Sequence, residues 1–358
     1  MTIPPVRDDL VGMHAYGAPQ IDVPVRLNVN ENPFSPSPEL VETIAREVSK
    51  VARELNRYPD RDAVALREDL AEYIMGESGG NITADNVWVA NGSNEVMHHL
   101  LAAFGGPGRL LVTFAPTYSM YEEYCRETFT NYATVSRNEN FEVTRSSIDE
   151  ALALNPNIVV VCSPNNPTGT VLDSDVLDYL ASHFDGLIIV DEAYGEFRAV
   201  GTDSAIAKYA GQSNVVITRT MSKAFSCAGL RLGYAIAHPD VVAACTVVRL
   251  PYHLSAVTQA VARAALSHST ELLSQVGLLR DERDELARWL IEQNYSVAPS
   301  GANFLLFGTF ADRHQIWQGL LDHGVLIRET GPAGWLRVSI GTPQENIAFR
   351  TALLAVDQ

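Results

Sequence analysis

Three short apolar runs constrain the fold of this chain more than any other feature: Ile158-Val159-Val160-Val161, Leu187-Ile188-Ile189-Val190 and Val215-Val216-Ile217, the last closing at Thr218. Runs this short, rich in β-branched residues and free of polar alternation, suit strands buried on both faces, as in a parallel sheet covered by helices. Two further strand signals precede them, at Asn86–Ala90 and Leu110–Thr113. Helical signals lie between, near 94–104 and after Pro116. Strand–helix alternation over about 150 residues argues an α/β architecture.

The flanks read differently. The first 35 residues are rich in Pro and Asn and read as an extended arm. Helix-period apolar positions cover 38–56 and 63–75, separated by Arg57-Tyr58-Pro59-Asp60. Long helical patterns cover 240–292. Short strand signals follow at 303–308, 325–328 and 335–340, with helices near 312–322 and 345–356. The expected organisation is an arm (1–35), a large α/β domain (36–250) whose helical N-terminal segment serves the small domain or a dimer contact, and a smaller α+β domain (251–358).

With 358 residues the chain can bury a large core without disulfides or a structural metal. Its net charge of −17 would repel a phosphate backbone, so no nucleic-acid partner is expected. No run approaches the ~18 consecutive apolar residues of a membrane span. The segment from Met1 to Asp9 lacks the apolar core of a signal peptide. Cys125, Cys162, Cys227 and Cys245 show no CxxC spacing, which fits a reducing, cytoplasmic compartment. None of the nine histidines falls in a metal-ligand spacing, so no metal is expected.

Four polar constellations follow the strands. Ser163-Pro164-Asn165-Asn166-Pro167-Thr168-Gly169 is a tight turn holding an asparagine, a pattern a plain loop would also show. Asp191-Glu192-Ala193-Tyr194 puts carboxylates at the end of a buried run, which is costly unless they meet a cation; a helix cap or a core ion pair would show the same residues. Thr218-Arg219-Thr220-Met221-Ser222-Lys223 sets a lysine beside hydroxyls, and Gly229-Leu230-Arg231-Leu232-Gly233-Tyr234 sets a cation between glycines. In an open α/β sheet, ligands bind at the carboxyl ends of strands, where these groups would converge. Thr220, Ser222 and Arg231 read as an anion site, to which Gly92-Ser93-Asn94 adds N–H groups at a helix N-terminus. A phosphorylated ligand that needs a lysine nucleophile and a buried carboxylate is pyridoxal phosphate.

With these residues in place, the chain resembles the fold-type-I pyridoxal-phosphate aminotransferases, and within them the histidinol-phosphate branch. The segments that carry the resemblance include Asn30-Glu31-Asn32-Pro33, Arg57–Asp60, Ala90–Glu95, Pro116–Tyr121, Pro164–Gly169, Asp191–Tyr194, Thr220–Tyr234, Pro251-Tyr252-His253-Leu254-Ser255, Leu336-Arg337 and Gly341–Asn346. The arm departs from the branch pattern Tyr-x-Pro-Gly, reading Tyr16-Gly17-Ala18-Pro19. The resemblance implies amino transfer between histidinol phosphate and 2-oxoglutarate, with an aromatic amino-acid aminotransferase and a threonine-phosphate-type decarboxylase as the alternatives on the same scaffold. It implies Lys223 as the lysine that holds the cofactor and shuttles the proton. Asp191 is implied at the pyridine nitrogen, Asn166 and Tyr194 at the 3-oxygen, and Tyr118 stacked on the ring. Ser93, Asn94, Thr220, Ser222 and Arg231 are implied around the phosphate. Tyr58 is implied to reach the neighbouring subunit's phosphate, and hence a homodimer with shared sites. Arg337 is implied at the substrate's anionic end, with Arg328, Tyr16 and Tyr252 as further pocket candidates.

Overall fold

The computed structural model of the protein describes residues 4–357. Its strands are β1 (Val25–Arg26), β2 (Val87–Ala90), β3 (Leu110–Ala115), β4 (Asn131–Ser136), β5 (Ile158–Cys162), β6 (Leu187–Asp191), β7 (Val215–Thr220), β8 (Gly233–Ile236), β9 (Ser296–Val297), β10 (Phe304–Gly308), β11 (Val325–Leu326) and β12 (Leu336–Ser339). Seven of them form one sheet in the order β2-β8-β7-β6-β5-β3-β4. The strands from β4 to β7 pair in parallel, and β8 alone runs against its neighbours β7 and β2.

The apolar runs behave as their composition requires. Every residue of β5, β6 and β7 is buried. Successive side chains feed opposite faces: Val159, Val161, Ile188, Val190, Val215 and Ile217 join one core, while Ile158, Val160, Leu187, Ile189 and Val216 join the other. Two strands of this sheet match no expected segment. β4 is an edge strand of half-exposed residues with no unbroken apolar run. The segment of β8 reads in sequence only as part of a glycine-flanked cation motif, yet it is a fully buried strand.

Because the central strands are parallel, their carboxyl ends share one edge. Cys162, Asp191 and Thr218 are direct cross-strand neighbours there. The reversed direction of β8 matters at this edge, since it pairs Gly233 with Thr220 and so returns Arg231 beside the end of β7.

The remaining strands sit apart. β12, β10 and β9 form a three-stranded antiparallel sheet. The arm is not wholly extended. It carries a short 3-10 turn at Asp8–Leu10, and its β1 pairs in parallel with β11, joining the two ends of the chain. The expected helices are present as Pro38–Ala52, Val64–Ser78, Gly92–Phe104 and Met120–Glu127. The long pattern over 240–292 resolves into Pro239–Val248, Ala256–Leu266 and Ser269–Glu292. Local chemistry explains several starts: Ser37 Oγ accepts from Leu40 N at 3.2 Å before Pro38, and Thr342 with Glu345 forms a reciprocal cap for Pro343–Val356. Among the described residues no helix is long and apolar enough to cross a membrane.

Candidate active site

At the carboxyl edge of the large sheet lies a cavity of about 280 Å³. Its lining includes Tyr16, Ser93, Asn94, Tyr118, Asn166, Asp191, Tyr194, Thr220, Ser222, Lys223, Arg231, Arg328 and Arg337. Thirteen of the fifteen residues singled out from sequence are thus brought together.

Two adjacent carboxylates at the end of β6 meet different fates. Glu192 faces Arg219, at 2.8 Å, and Arg198, at 2.9 Å. Burial works against its charge, but the two guanidiniums outweigh it and hold the carboxyl low. Asp191 is 4% exposed, and its donors are neutral: the Tyr121 hydroxyl at 2.6 Å, the Thr218 hydroxyl at 3.1 Å and the Ala193 N–H at 3.2 Å. Burial raises its carboxyl above the ordinary aspartate value in spite of them. A carboxylate in this state suits a ligand that brings its own positive charge.

Lys223 follows β7 and reaches across the cavity. Its Nζ donates to the Val29 carbonyl at 2.9 Å and lies 5.9 Å from the centre of the Tyr194 ring. Burial, together with the nearby Arg337 guanidinium, lowers its pKa to about 8. A lysine closer to neutrality is a better nucleophile and base.

The anion end is built by close backbone approach. Gly92 opens the helix Gly92–Phe104 at φ 82°, and a Cβ there would lie 2.7 Å from Arg231 Nη2. A Cβ on Gly233 would collide with the backbone nitrogen of Ser93. Only glycine therefore lets β8 pass the helix N-terminus. Thr220 Oγ1 donates to Ser222 Oγ at 3.0 Å and accepts from the Ser222 N–H at 3.1 Å, and Arg231 Nη1 donates to Ser222 Oγ at 3.3 Å. Hydroxyls, free N–H groups and a guanidinium at a helix N-terminus are the donor set for a phosphate. Opposite them Tyr118 lies edge-on to Tyr121, with ring centres 5.6 Å apart.

Arg337, on β12, enters from the other side. Its Nη1 donates to Asn166 Oδ1 at 2.6 Å and its Nη2 to the Asn28 carbonyl at 2.8 Å. Both partners are uncharged, and among the described residues its buried Nε has no partner. Burial lowers its pKa, so this cation is under-compensated. Arg328 is bridged to Arg337 across strands and reaches the Gly17 carbonyl at 3.4 Å.

Tyr58 and Tyr252 are not brought to this cavity within one chain. They stack on each other with ring centres 4.4 Å apart, and Tyr58 is 79% exposed. Sequence reasoning gave no site role to Asn30, whose Nδ2 donates to Tyr194 Oη at 2.9 Å, nor to Tyr121 and Thr218 on Asp191. Asn30 and Tyr121 lay inside quoted motifs, but nothing local revealed their partners. The fold also gathers Glu95, His99 and His253, with ligand atoms within 4.8 Å of one another. Trp88 Nε1 donates to His99 Nδ1 at 3.3 Å, which leaves the neutral ring's proton on Nε2 and no lone pair there for a metal.

The donor set fits pyridoxal phosphate: a phosphate cradle, an uncompensated buried carboxylate for a protonated ring nitrogen, and a lysine of lowered pKa, all lining one cavity.

Comparison with known proteins agrees. The model of the family "Aminotransferase class I and II" matches residues 22–353. The chain is 54% identical to histidinol-phosphate aminotransferase 3 of Burkholderia lata, over 98% of this chain and 95% of that one. It is 53% identical to the histidinol-phosphate aminotransferase of Thermobifida fusca, again over 98% and 95%. Among solved structures, the histidinol-phosphate aminotransferase of Sinorhizobium meliloti in complex with pyridoxal-5'-phosphate shares the fold, with a TM-score of 0.84 at 23% identity over 93% of this chain and 91% of that one. The chain belongs to the class I and II aminotransferase family.

Proposed function

We propose that the chain is a pyridoxal-phosphate-dependent enzyme that moves an amino group between histidinol phosphate and 2-oxoglutarate, with imidazole-acetol phosphate and glutamate as products, as the names of its relatives at about half identity suggest. The observation that carries this reading is Asp191 and Lys223 lining one cavity, the first a buried carboxylate with only neutral donors and the second a lysine of lowered pKa.

When bound, the cofactor supplies an electron sink for the negative charge left on the substrate's α-carbon. The protein's residues do the rest. Asp191, aligned by Tyr121 and Thr218, holds the proton on the cofactor's ring nitrogen. Thr220, Ser222, Arg231 and the N–H groups of Ser93 and Asn94 bind its phosphate. Tyr118 covers one face of the ring, and Asn166 and Tyr194 face its 3-oxygen. Lys223 Nζ, when neutral, takes the α-proton and delivers it to the cofactor's former aldehyde carbon. Arg337 binds the anionic end of each substrate in turn, the phosphate of one and a carboxylate of the other, with Arg328 beside it. Tyr16, from the arm, shields the cavity mouth.

The active unit in this reading is a homodimer. The stacked, exposed pair Tyr58 and Tyr252 lies outside its own chain's cavity and is free to complete a partner's. The division into an arm (1–35), a cofactor-binding domain (36–250) and a small domain (251–358) is supported by the separation of the two larger sheets, although β1 of the arm is paired with β11. Cytoplasmic placement is supported by four free, buried cysteines.

The reaction type is tested by following glutamate formed from 2-oxoglutarate with histidinol phosphate as donor, alongside carbon dioxide released from threonine phosphate. Glutamate without carbon dioxide is expected. Carbon dioxide without glutamate would assign the scaffold to decarboxylation.

A further inference from the structure

Asn30 sits at φ 56° in the left-handed region, and its amide is held by hydrogen-bond partners on two sides. Its backbone N–H donates to Ser339 Oγ at 2.9 Å. The Ser339 hydroxyl in turn donates to Asn30 Oδ1 at 2.9 Å. With Oδ1 accepting there, Nδ2 must face Tyr194 Oη, to which it donates at 2.9 Å. Asn303 Nδ2 donates to the Asn30 carbonyl at 3.0 Å and locks the residue from the other side.

Asn166 is oriented by the same logic. A guanidinium cannot accept, so Arg337 Nη1 forces Asn166 Oδ1 toward itself and turns Nδ2 to Tyr194 Oη at 3.5 Å. The Tyr194 oxygen is thus met by two donors. Its single proton is left to point toward the cavity that Tyr194 lines.

We propose that Asn30 is a positioning residue that makes Tyr194 an obligate donor into the cavity, toward the cofactor's 3-oxygen. This rests on the pyridoxal-phosphate reading above. Through Ser339 on β12 and Asn303 ahead of β10, the arm ties the small sheet to the polarity of one phenol. The charged groups facing that phenol are Lys223, Arg337 and Asp191, and burial raises its own pKa to about 12, so it stays protonated over the working range.

The test uses the holoenzyme and the pH midpoint of the bound cofactor's visible absorbance change. Losing a donor at the 3-oxygen makes that oxygen hold more tightly the proton it shares with the lysine nitrogen, so the midpoint rises. Tyr194→Phe should raise it by about one to two pH units, as expected for a hydrogen bond to a charged group. Asn30→Asp replaces a donor by an acceptor and turns the phenol's proton away from the cavity. Its added charge alone also moves the midpoint, so the decisive quantity is a double-mutant cycle. Asn30→Asp should raise the midpoint by about one unit more with the phenol present than in the Tyr194→Phe background. Equal shifts in both backgrounds would overturn the proposal. Should Asn30→Asp not fold, Ser339→Ala removes the hydroxyl that fixes the amide; a smaller rise is expected, absent in the Tyr194→Phe background, and a rise of the same size in both would again overturn it. If Tyr194→Phe itself leaves the midpoint unmoved while the cofactor is bound, the placement of Tyr194 at the 3-oxygen fails, separately from the role of Asn30.

Discussion

Arg337 Nη1 donates to Asn166 Oδ1 across 2.6 Å, joining β12 of the small sheet to the turn that follows β5 of the large one. The cation proposed to meet the substrate and the amide proposed to face the cofactor's 3-oxygen are therefore one unit. A substrate anion that engages Arg337 acts on a group already tied to the cofactor's surroundings.

The first prediction follows from that link. If both substrates use the same cation in turn, as proposed, Arg337→Ala should lower kcat/KM for the amino donor and for 2-oxoglutarate together, each by roughly 10–100-fold for a lost charged hydrogen bond. Arg337→Lys should rescue little, because the planar fork that meets Asn166 and the Asn28 carbonyl is lost. Steady-state kinetics with each substrate varied in turn decides it; a loss confined to one substrate would remove the shared role.

Asp191 yields a prediction of opposite sign for stability and for rate. Burial raises its folded-state pKa, so the folded cofactor-free chain binds that proton more tightly than the unfolded chain. Stability from this group is full below the unfolded pKa and is lost as pH rises through the raised folded value. At neutral pH, Asp191→Asn should raise the Tm of the cofactor-free chain, and the gain should fade below about pH 4. In the loaded enzyme the same substitution should cost orders of magnitude in kcat while the phosphate contacts retain the cofactor. Thermal melts across pH, paired with turnover, read both arms.

Lys223 carries a pH dependence. With its pKa lowered from 10.5 to about 8, the neutral amine that attacks the cofactor's aldehyde carbon becomes abundant as pH rises through that value. The rate of cofactor recombination with the stripped chain should climb with a midpoint near 8. Arg337→Ala removes one of the charges that lower this pKa and should move the midpoint up. Lys223→Ala should abolish the covalent colour change at every pH.

Tyr58 tests the shared site. Mixing Lys223→Ala with Tyr58→Phe chains and allowing exchange gives heterodimers in which one site holds both defects and the other neither, if Tyr58 serves its partner. Random exchange leaves about a quarter of all sites wild-type in composition, so activity at limiting cofactor should rise above the average of the two parents. No rise after verified exchange would leave Tyr58 as the stacking partner of Tyr252 and nothing more.

Much of this was legible in the sequence because burial on both faces leaves a mark. β5, β6 and the first half of β7 are runs without polar interruption, and candidate site residues follow where those runs end. β4 was silent because an edge strand half in solvent needs no such run, and β8 because its glycine and arginine read as chemistry before they read as structure. The fate of the Asp191-Glu192 pair was illegible for a different reason. Of the two carboxylates, Arg219 and Arg198 reach only Glu192, and the side that faces them is set by the pleat and not by composition. Asn30 was quoted as part of a motif without a role, since its partner Tyr194 lies 164 residues away and its carbonyl's partner Asn303 lies 273 away. No local pattern encodes such distances.

The most direct test of the account is the ratio of kcat/KM for histidinol phosphate to that for phenylalanine, measured with 2-oxoglutarate as the common acceptor, because specificity is a difference in transition-state binding. A buried, under-compensated Arg337 with Arg328 beside it predicts a ratio well above one, because a doubly charged phosphate gains more from two adjacent guanidiniums than a singly charged carboxylate does, and Arg337→Ala should lower the ratio. A ratio at or below one in the wild-type enzyme would contradict the account and make the chain an aromatic amino-acid aminotransferase.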